Sequence, residues 1–267
     1  MKPLRHLSLA AALAALPLIS NVVHADIPGF EDLSGFTVNQ TDSGSPPTYS
    51  NGVLQLTNGY VDENRSIFYD TPQGITQFSA SFTFTATGPW NGTGASFVLQ
   101  TSPSGASAAG NGTDGYGAFP GASVAIVLDS YQAATGFFTD ANIGNGLLPV
   151  SPVNLFSGHP IDLDISYSDS LLHESLLDTT NGASFDTSYL VLTPLPTILG
   201  GSTAYVGISA SADNNGFFSG PGVQSFSNFQ FVSSVPEPST IVLLGVASLS
   251  MLAFAWRSIR ANHVACR

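Results

Sequence analysis

The stretch TQFSASFTFTA at residues 76–86 decides the fold of this 267-residue chain. Phenylalanine and alanine alternate in it with serine and threonine, so that every second side chain is apolar from residue 78 onward. A period of two is typical of a β-strand that buries one face and turns the other outward. The stretch therefore predicts a long strand on one side of a hydrophobic core.

The same kind of pattern recurs on both sides of this strand. Further strands are predicted at residues 53–56, 95–99, 123–128, 161–167, 204–210 and 223–231. Turn-forming pairs such as Asn91-Gly92 and Asn181-Gly182 separate them. Many short strands without an internal repeat of fixed length predict an antiparallel sandwich or jelly roll rather than a propeller or solenoid. A single all-β domain over residues 26–231 accounts for the pattern.

Charge and cysteine content exclude several classes of function. Six Lys and Arg stand against eighteen Asp and Glu, a formal net charge of −12. Residues 26–234 contain seventeen acidic side chains and one base, Arg65, a net charge of −16. A surface with one cation cannot neutralise a row of phosphates, so nucleic acid and anionic lipid are not its partners. The single cysteine, Cys266, excludes an internal disulfide and a thiolate metal site in the domain.

The N-terminus has the pattern of a secretory signal. A basic head with Lys2 and Arg5 precedes an apolar run at residues 7–19, and Ala25 ends the segment. This order of charge, apolar run and small residue is typical of a cleaved signal peptide. We therefore expect residues 1–25 to be a signal peptide and the domain to be exported.

The C-terminus has the pattern of a membrane anchor. A linker at residues 232–240 leads to an uncharged apolar stretch at 241–256, and a basic tail at 257–267 follows. In a helix, this stretch would span about 24 Å, which a ~30 Å bilayer core accommodates by thinning. Arginines beyond the stretch favour a cytoplasmic tail. We expect a transmembrane helix at 241–256 that anchors the chain in the inner membrane.

The motif VPEPST at residues 235–240 indicates a more specific role for the C-terminal segment than membrane anchoring. Followed by an apolar helix and arginines, it resembles the PEP-CTERM sorting tail of Gram-negative bacteria. The resemblance implies recognition by an exosortase-type membrane enzyme and delivery to the cell surface or the extracellular matrix. Whether the tail is cleaved stays open.

Several segments of the domain, taken in order, resemble the legume-type (L-type) lectins and their bacterial relatives. These segments are residues 35–39, 51–57, 65–72, 78–84, 115–117, 124–131, 161–167, 171–176, 204–211 and 225–229. The resemblance implies a concanavalin-like jelly-roll sandwich of two antiparallel sheets, with sugar bound by loops at one edge of the concave sheet. The partner would be a glycan, such as a neutral or weakly acidic exopolysaccharide.

The resemblance also implies where metal ions would bind, and this sequence departs from the family there. The family holds Ca²⁺ and a transition metal on a Glu-x-Asp-x-aromatic-x-Asn strand that is followed by an Asp and a His. Asp129 and Tyr131 match this strand, whereas Val127 replaces the Glu and Ala133 replaces the Asn. Asp140 would be the following carboxylate, and no histidine lies near it. The resemblance thus implies no transition-metal site in this chain.

Two interpretations of Asp129 stay open. In one, a lone Ca²⁺ is held by Asp129, the Tyr131 carbonyl and Asp140, because a hard cation accepts such oxygen ligands. In the other, Asp129 caps a turn or accepts backbone hydrogen bonds at the end of its strand.

The residues that the resemblance implies for sugar binding lie in four loops. They are Thr93, Gly94, Gly117, Tyr131, Asp213 and Asn214. Thr93 stands where the family has an Asp, so a carboxylate that accepts charge-assisted hydrogen bonds from sugar hydroxyls is missing. Trp90, beside these loops, either stacks on a sugar or packs in the core.

Two function hypotheses follow. The leading one is an exported carbohydrate-binding protein of the cell surface or exopolysaccharide matrix. The alternative is a structural surface or matrix protein that has lost sugar binding, because of Thr93, Val127 and Ala133. An enzyme is not expected: glycoside hydrolases of this shape place two carboxylates around the bond, commonly as Glu-x-Asp-x-Glu, and Val127 stands where a nucleophile would be.

Overall fold

The structure is a computed structural model that describes residues 26–30, 32–60, 62–88, 93–110, 112–212 and 222–233. The predicted signal peptide, membrane helix and basic tail lie outside these residues, as do Trp90, Asp213 and Asn214. Among the residues that are described, no helix has the length and hydropathy to cross a membrane.

The described part of the chain is built almost wholly from strands. They are β1 (Phe36–Gln40), β2 (Thr48–Ser50), β3 (Val53–Asn58), β4 (Glu63–Tyr69), β5 (Gln73–Gly74), β6 (Phe78–Thr87), β7 (Thr93–Gln100), β8 (Ser123–Asp129), β9 (Ala134–Thr139), β10 (Leu148–Pro149), β11 (Ile161–Ser168), β12 (Leu171–Asp178), β13 (Ser184–Leu190), β14 (Thr203–Ala212) and β15 (Val223–Ser233). Short helical turns occur at Gly105–Ser107, Thr113–Gly115 and α1 (Leu195–Ile198). Every strand predicted from alternation is present, and the predicted all-β class is confirmed.

The strands form two antiparallel sheets. The front sheet has the order β1-β4-β14-β7-β8-β9-β10, with β5 beside β14. The back sheet has the order β13-β12-β11-β6-β15-β3-β2. The sequence pattern decides which face of the back sheet packs on the front sheet. Apolar side chains alternate with polar ones along β6, β11 and β12, and the apolar ones point toward the front sheet. The arrangement is the predicted jelly-roll sandwich.

Aromatic side chains fill the space between the sheets. Phe82 on β6 stacks on Phe97 of β7, with ring centroids 6.4 Å apart, and Phe78 lies 6.2 Å from the same ring. Phe226 on β15 packs against Phe82 and Phe84 from the side. Burial of one such side chain stabilises the fold by about 1.5–3 kcal/mol, so this cluster explains how the domain folds without disulfides.

A second apolar layer covers the outer face of the front sheet. Residues 101–122, here called the covering segment, place Tyr116 and Phe119 on Phe68, Val98 and Val127 of β4, β7 and β8. The Phe68 and Phe119 rings meet edge to face, with their centroids 5.7 Å apart. The front sheet is therefore buried on both faces over much of its width, and the covering segment is held in a fixed position.

One end of the front sheet collects the ends of several strands, and we call this end the rim. Thr93 pairs with Ala212, Gly94 pairs with Asp129, and Ala212 pairs with Glu63. β3 and β4, β6 and β7, and β14 and β15 are consecutive strands that belong to different sheets, and the facing ends of each pair lie here. The rim is thus the place where loops from distant parts of the sequence meet.

Candidate functional site

The rim brings together several of the residues predicted for sugar binding. Thr93 and Gly94 begin β7, and Tyr131 lies in the turn that follows their neighbour Asp129. The side chain of Tyr131 is 55% exposed. Gly117 lies on the covering segment and is partly exposed. Asp213 and Asn214 follow Ala212, which pairs with Thr93, but they lie outside the described residues.

Asp129 holds a tight turn at the rim. Its Oδ1 accepts a hydrogen bond from the backbone N–H of Gln132 at 2.8 Å, and its Oδ2 accepts one from the Gln132 side-chain amide at 2.6 Å. Asp129 pairs directly with Ala134, so the turn contains only four residues, 130–133. Of the two interpretations of Asp129, the structure supports the turn cap.

Asp140 lies far from Asp129, which corrects the predicted ion site. β8 and β9 form a hairpin in which Val124 pairs with Thr139, and the Asp140 N–H donates to the carbonyl of Ser123. Ser123 and Asp129 are the two ends of β8, about 20 Å apart for a strand of this length. The prediction that Asp129, the Tyr131 carbonyl and Asp140 share one Ca²⁺ is therefore wrong.

A carboxylate that the sequence reasoning missed takes a place at the rim. The side chain of Asp114, on the covering segment, lies over Gly94, and a β-carbon on Gly94 would collide with Asp114 Oδ1. Gly94 is therefore required to admit Asp114, and its own outer face is covered. Gly94 positions Asp114 rather than offering its backbone to a ligand.

Three serine hydroxyls hold Asp114 in this place. Ser96 Oγ donates to the Asp114 carbonyl at 2.8 Å, and Ser209 Oγ donates to the Gly115 carbonyl at 2.7 Å. Ser211 Oγ accepts from the Gly115 N–H at 3.0 Å. Asp114 has a positive φ of 53°, in the left-handed region that Asp and Asn adopt more readily than other L-residues. The hydrogen bonds to β7 and β14 hold the segment in this conformation.

The surroundings of Asp114 disfavour its charge. Its side chain is 2% exposed, and its Oδ2 has no hydrogen-bond partner. Burial, and after it the nearby Asp129 carboxylate, raise the pKa of Asp114 well above its usual value. The rim thus contains two neighbouring buried carboxyl groups, one fully hydrogen-bonded and one not.

Comparison with solved structures gives the same architecture. The chain superimposes on arcelin-5, a lectin-like defense protein from Phaseolus vulgaris, with a TM-score of 0.59 and 20% identity over 79% of this chain and 98% of that one. The seed lectin of Lotus tetragonolobus gives 0.62 and 18%, over 81% and 100% of the two chains. Lectin I-B4 from Griffonia simplicifolia, in its metal-free form, gives 0.60 and 19%, over 80% and 100%.

The C-terminal residues 234–261 match the PEP-CTERM protein-sorting motif. The chain has a legume-lectin fold and ends in a PEP-CTERM sorting motif. The predicted resemblances to the L-type lectins and to the PEP-CTERM sorting tail are thereby confirmed. At these sequence identities the likeness to the lectins establishes the fold alone. No curated protein matches the chain.

The described residues of this lectin-like domain do not form the Ca²⁺ site that was predicted from Asp129, Tyr131 and Asp140. Within the described ranges, no group of three or more His, Cys, Asp and Glu side chains is placed to hold a metal ion. The four-residue turn after Asp129 explains this, because it carries β8 directly into β9 without a loop that could supply further ligands. Any ion at the rim would need carboxylates from elsewhere in the chain.

The back sheet of the lectin-like domain contains a buried acid, Glu174 on β12. Its Oε1 accepts a hydrogen bond from Thr135 of the front sheet at 2.7 Å, and its Oε2 accepts one from Tyr189 at 2.9 Å. Burial raises the pKa of Glu174 to about 7, although both hydrogen bonds lower it in part. The carboxyl group lies between the sheets and offers no reactive atom to a substrate in solvent.

Two shallow grooves adjoin on the outer face of the back sheet. Both are lined by Ser81, Asp164 and Gln230, and they extend along β6, β11 and β15. Phe82 is the one aromatic residue beside them within the described part of the chain, and its ring faces the core. Sugar sites commonly use an exposed aromatic surface for stacking. The rim, where Tyr131 is exposed and loops converge, is the better candidate site.

Proposed function

We propose that this protein binds a glycan at the rim of the front sheet. The observation that carries the proposal is the strand register, which gathers the ends of β4, β7, β8 and β14 at the place where Tyr131 is exposed. Lectin-like sandwiches of the same architecture support it, among them a winged bean acidic lectin that was solved with methyl-α-D-galactose. The net charge of −16 favours neutral or weakly acidic glycans over acidic polymers.

We propose that the glycan contacts the exposed ring of Tyr131 and polar groups of neighbouring segments. Tyr131 offers a surface for stacking on a sugar, and Gly117 a backbone N–H. Thr93 begins β7 at the rim and Asp213 and Asn214 follow its partner Ala212 in the sequence, so we propose that they add polar contacts. We infer that the domain binds and does not catalyse, because Glu174, the acid with the raised pKa between the sheets, is shut off from solvent.

We further propose that residues 1–25 export the chain and that an exosortase-type enzyme recognises the C-terminal motif. The match to the sorting motif at residues 234–261 supports this. The uncharged stretch 241–256 would anchor the chain in the inner membrane until it is processed. The mature domain would then reach the cell surface or the exopolysaccharide matrix.

A glycan array probed with the purified protein tests the binding proposal. We expect binding to a limited set of glycans, and about a tenfold or greater loss of affinity in Tyr131→Ala, because the exposed ring lies at the rim. Leu192→Ala is the matched control, since Leu192 is 85% exposed and follows β13 at the opposite end of the sandwich. Equal affinity of the Tyr131 variant and the unaltered protein for a bound glycan would contradict the proposed site.

A structural matrix protein without sugar binding is the second candidate function. The four-residue turn 130–133 favours it, because so short a turn offers few groups to a ligand. A folded protein that binds no glycan on the array, yet assembles into the extracellular matrix of cells, would support this candidate against the first.

A further inference from the structure

The chain leaves the domain toward its sorting motif at the end of the sandwich opposite the rim. β15 begins beside the rim, where Val223 pairs with Asn58 and Thr87, and it ends at Ser233, which pairs with Phe78. Its eleven residues span about 33 Å in a strand. We call the end of the sandwich that contains Ser233 the tail end. The sorting motif is therefore attached at the tail end, far from the proposed glycan site.

Three exposed leucines form one apolar patch at the tail end. Leu171 of β12 and Leu190 of β13 are cross-strand partners on the outer face of the back sheet, and they are 47% and 69% exposed. The pairing continues beyond β13, because the Val191 N–H donates to the Ser170 carbonyl at 2.9 Å. Val191 is buried, so Leu192 points outward again beside Leu190 and is 85% exposed. We call Leu171, Leu190 and Leu192 the leucine patch.

The leucine patch lies level with Ser233 across the back sheet. Ser233 pairs with Phe78, and Phe78 pairs with Tyr167. Tyr167 in turn pairs with Leu172, which adjoins the patch on β12. β12 and β13 are the third and fourth strands from β15, at about 14–19 Å. Linker residues 234–240 reach about 25 Å when fully extended, so they hold the tail end close to whatever anchors the following segment.

We propose that the leucine patch contacts the lipid bilayer while residues 241–256 anchor the chain in the inner membrane. This inference rests on the anchoring proposed above and adds an orientation, in which the tail end meets the membrane and the rim points away from it. A contiguous exposed apolar patch marks an interaction surface, whereas single exposed apolar residues are ordinary. Insertion of the three side chains among the lipid headgroups removes their apolar surface from water.

The charges near the patch favour zwitterionic lipids. Asp169, in the turn before Leu171, is exposed, and Arg65, the one Lys or Arg in residues 26–234, is fully buried. An anionic surface repels acidic side chains, whereas the burial of apolar surface does not depend on headgroup charge. We therefore expect the contact on bilayers of phosphatidylcholine and a weaker contact as phosphatidylglycerol is added.

Fluorescence quenching in liposomes tests the contact. The full chain is reconstituted through its C-terminal segment into phosphatidylcholine that includes lipid with a nitroxide on its acyl chain. A fluorophore is attached at Thr193→Cys, beside the patch, after Cys266→Ser has removed the natural thiol. The matched label is at Thr180→Cys, which is likewise exposed but lies beyond the other end of β13, about 23 Å away. We expect the nitroxide to quench about half or more of the emission at residue 193 and little at residue 180.

Substitution of the leucines separates lipid contact from mere proximity to the anchor. Leu171→Gln combined with Leu190→Gln should lower the quenching at residue 193 to the level at residue 180. Leu177→Gln is the matched control and should change nothing, because Leu177 is 42% exposed on the same face of β12 but lies toward the rim. All these side chains are exposed, so the variants should keep the unfolding temperature of the unaltered protein.

Resistance of the chain to alkaline extraction from the same liposomes reports the anchoring separately. The contact is rejected if an anchored chain is quenched equally at residues 193 and 180, an outcome that would favour a protein partner for the patch. It is also rejected if the quenching survives both leucine substitutions. A chain that alkali extracts would reject the proposed anchoring together with this contact. Glycan binding at the rim is scored on the array and is independent of all these outcomes.

Discussion

Glu174 and Asp114 are both buried acids, but they differ in how many hydrogen bonds their carboxyl groups accept. Glu174 lies between the sheets, and hydroxyl groups of Thr135 and Tyr189 donate to both of its oxygens. Asp114 lies on the outer face of the front sheet beside a second carboxyl group, and one of its oxygens has no partner. Both oxygens of Glu174 are therefore satisfied within the chain, whereas Asp114 Oδ2 is not. The number of donors, rather than the depth of burial, separates a structural acid from a candidate site.

The largest effect predicted from this comparison is the pH dependence that Glu174 gives to the free energy of unfolding. Burial raises its pKa to about 7 from the ordinary value of 4.5, so its contribution to stability is fully present below about pH 4.5 and is lost as the pH rises through about 7. We expect the free energy of unfolding to fall by about 3 kcal/mol over this interval. Urea denaturation at a series of pH values measures it.

Glu174→Gln should remove this pH dependence, because the amide does not titrate. Asp186→Asn is the control on the neighbouring strand β13, where the side chain is 60% exposed. It should leave the slope between pH 4.5 and 7 unchanged. If the unaltered protein and Glu174→Gln show the same slope, Glu174 is ionised in the folded state and the contrast with Asp114 disappears.

A smaller loss of stability is expected when a side chain at residue 94 occupies the position of Asp114 Oδ1. Gly94→Ala puts a methyl group where Asp114 Oδ1 lies, so the carboxyl group and its segment must move, at a cost of about 2 kcal/mol. Gly144→Ala is the control, because Gly144 has open space around it. Chemical denaturation compares the two variants. Equal stabilities would mean that Asp114 is not fixed over Gly94.

The smallest effect concerns the serines that hold the covering segment. Ser211→Ala removes one of two acceptors of the Gly115 N–H, which also donates to the Gly112 carbonyl at 3.1 Å, and should lower the free energy of unfolding by about 1 kcal/mol. Hydrogen exchange of the Gly115 amide should accelerate in the same variant. Ser79→Ala, on the exposed face of β6, is the control and should change neither quantity. Unchanged exchange at Gly115 would show that the hydroxyl of Ser211 does not hold the segment.

Strand positions could be predicted from the sequence because alternation is a local signal. The apolar residues of β6 and β11 repeat with a period of two, and the strands follow them closely. The same alternation places Glu174 on the inward face with Leu172 and Leu176, so its burial could also be foreseen. Sheet order and register depend on contacts between distant segments, and the lectin resemblance supplied what local patterns do not.

The error in the predicted ion site could not be foreseen from the sequence, because it depends on the length of one turn. Matching Asp140 to the family assumed a loop after Asp129, whereas the strand Ala134–Thr139 begins after four residues. Asp114 gave only a weak signal, an acid among glycines at residues 112–117, which is also typical of an ordinary turn. Its role depends on Gly94 and on serines from β7 and β14, which only the folded chain brings together.

The inter-sheet connections at the rim have a consequence for protein engineering. Residues 59–62, 88–92 and 213–222 each join two strands that are already paired within the sheets on either side. Their sequences could therefore be randomised or lengthened at little entropic cost, while the phenylalanine core keeps its register. The domain is a natural scaffold for libraries in which new specificities are selected by exchanging loops.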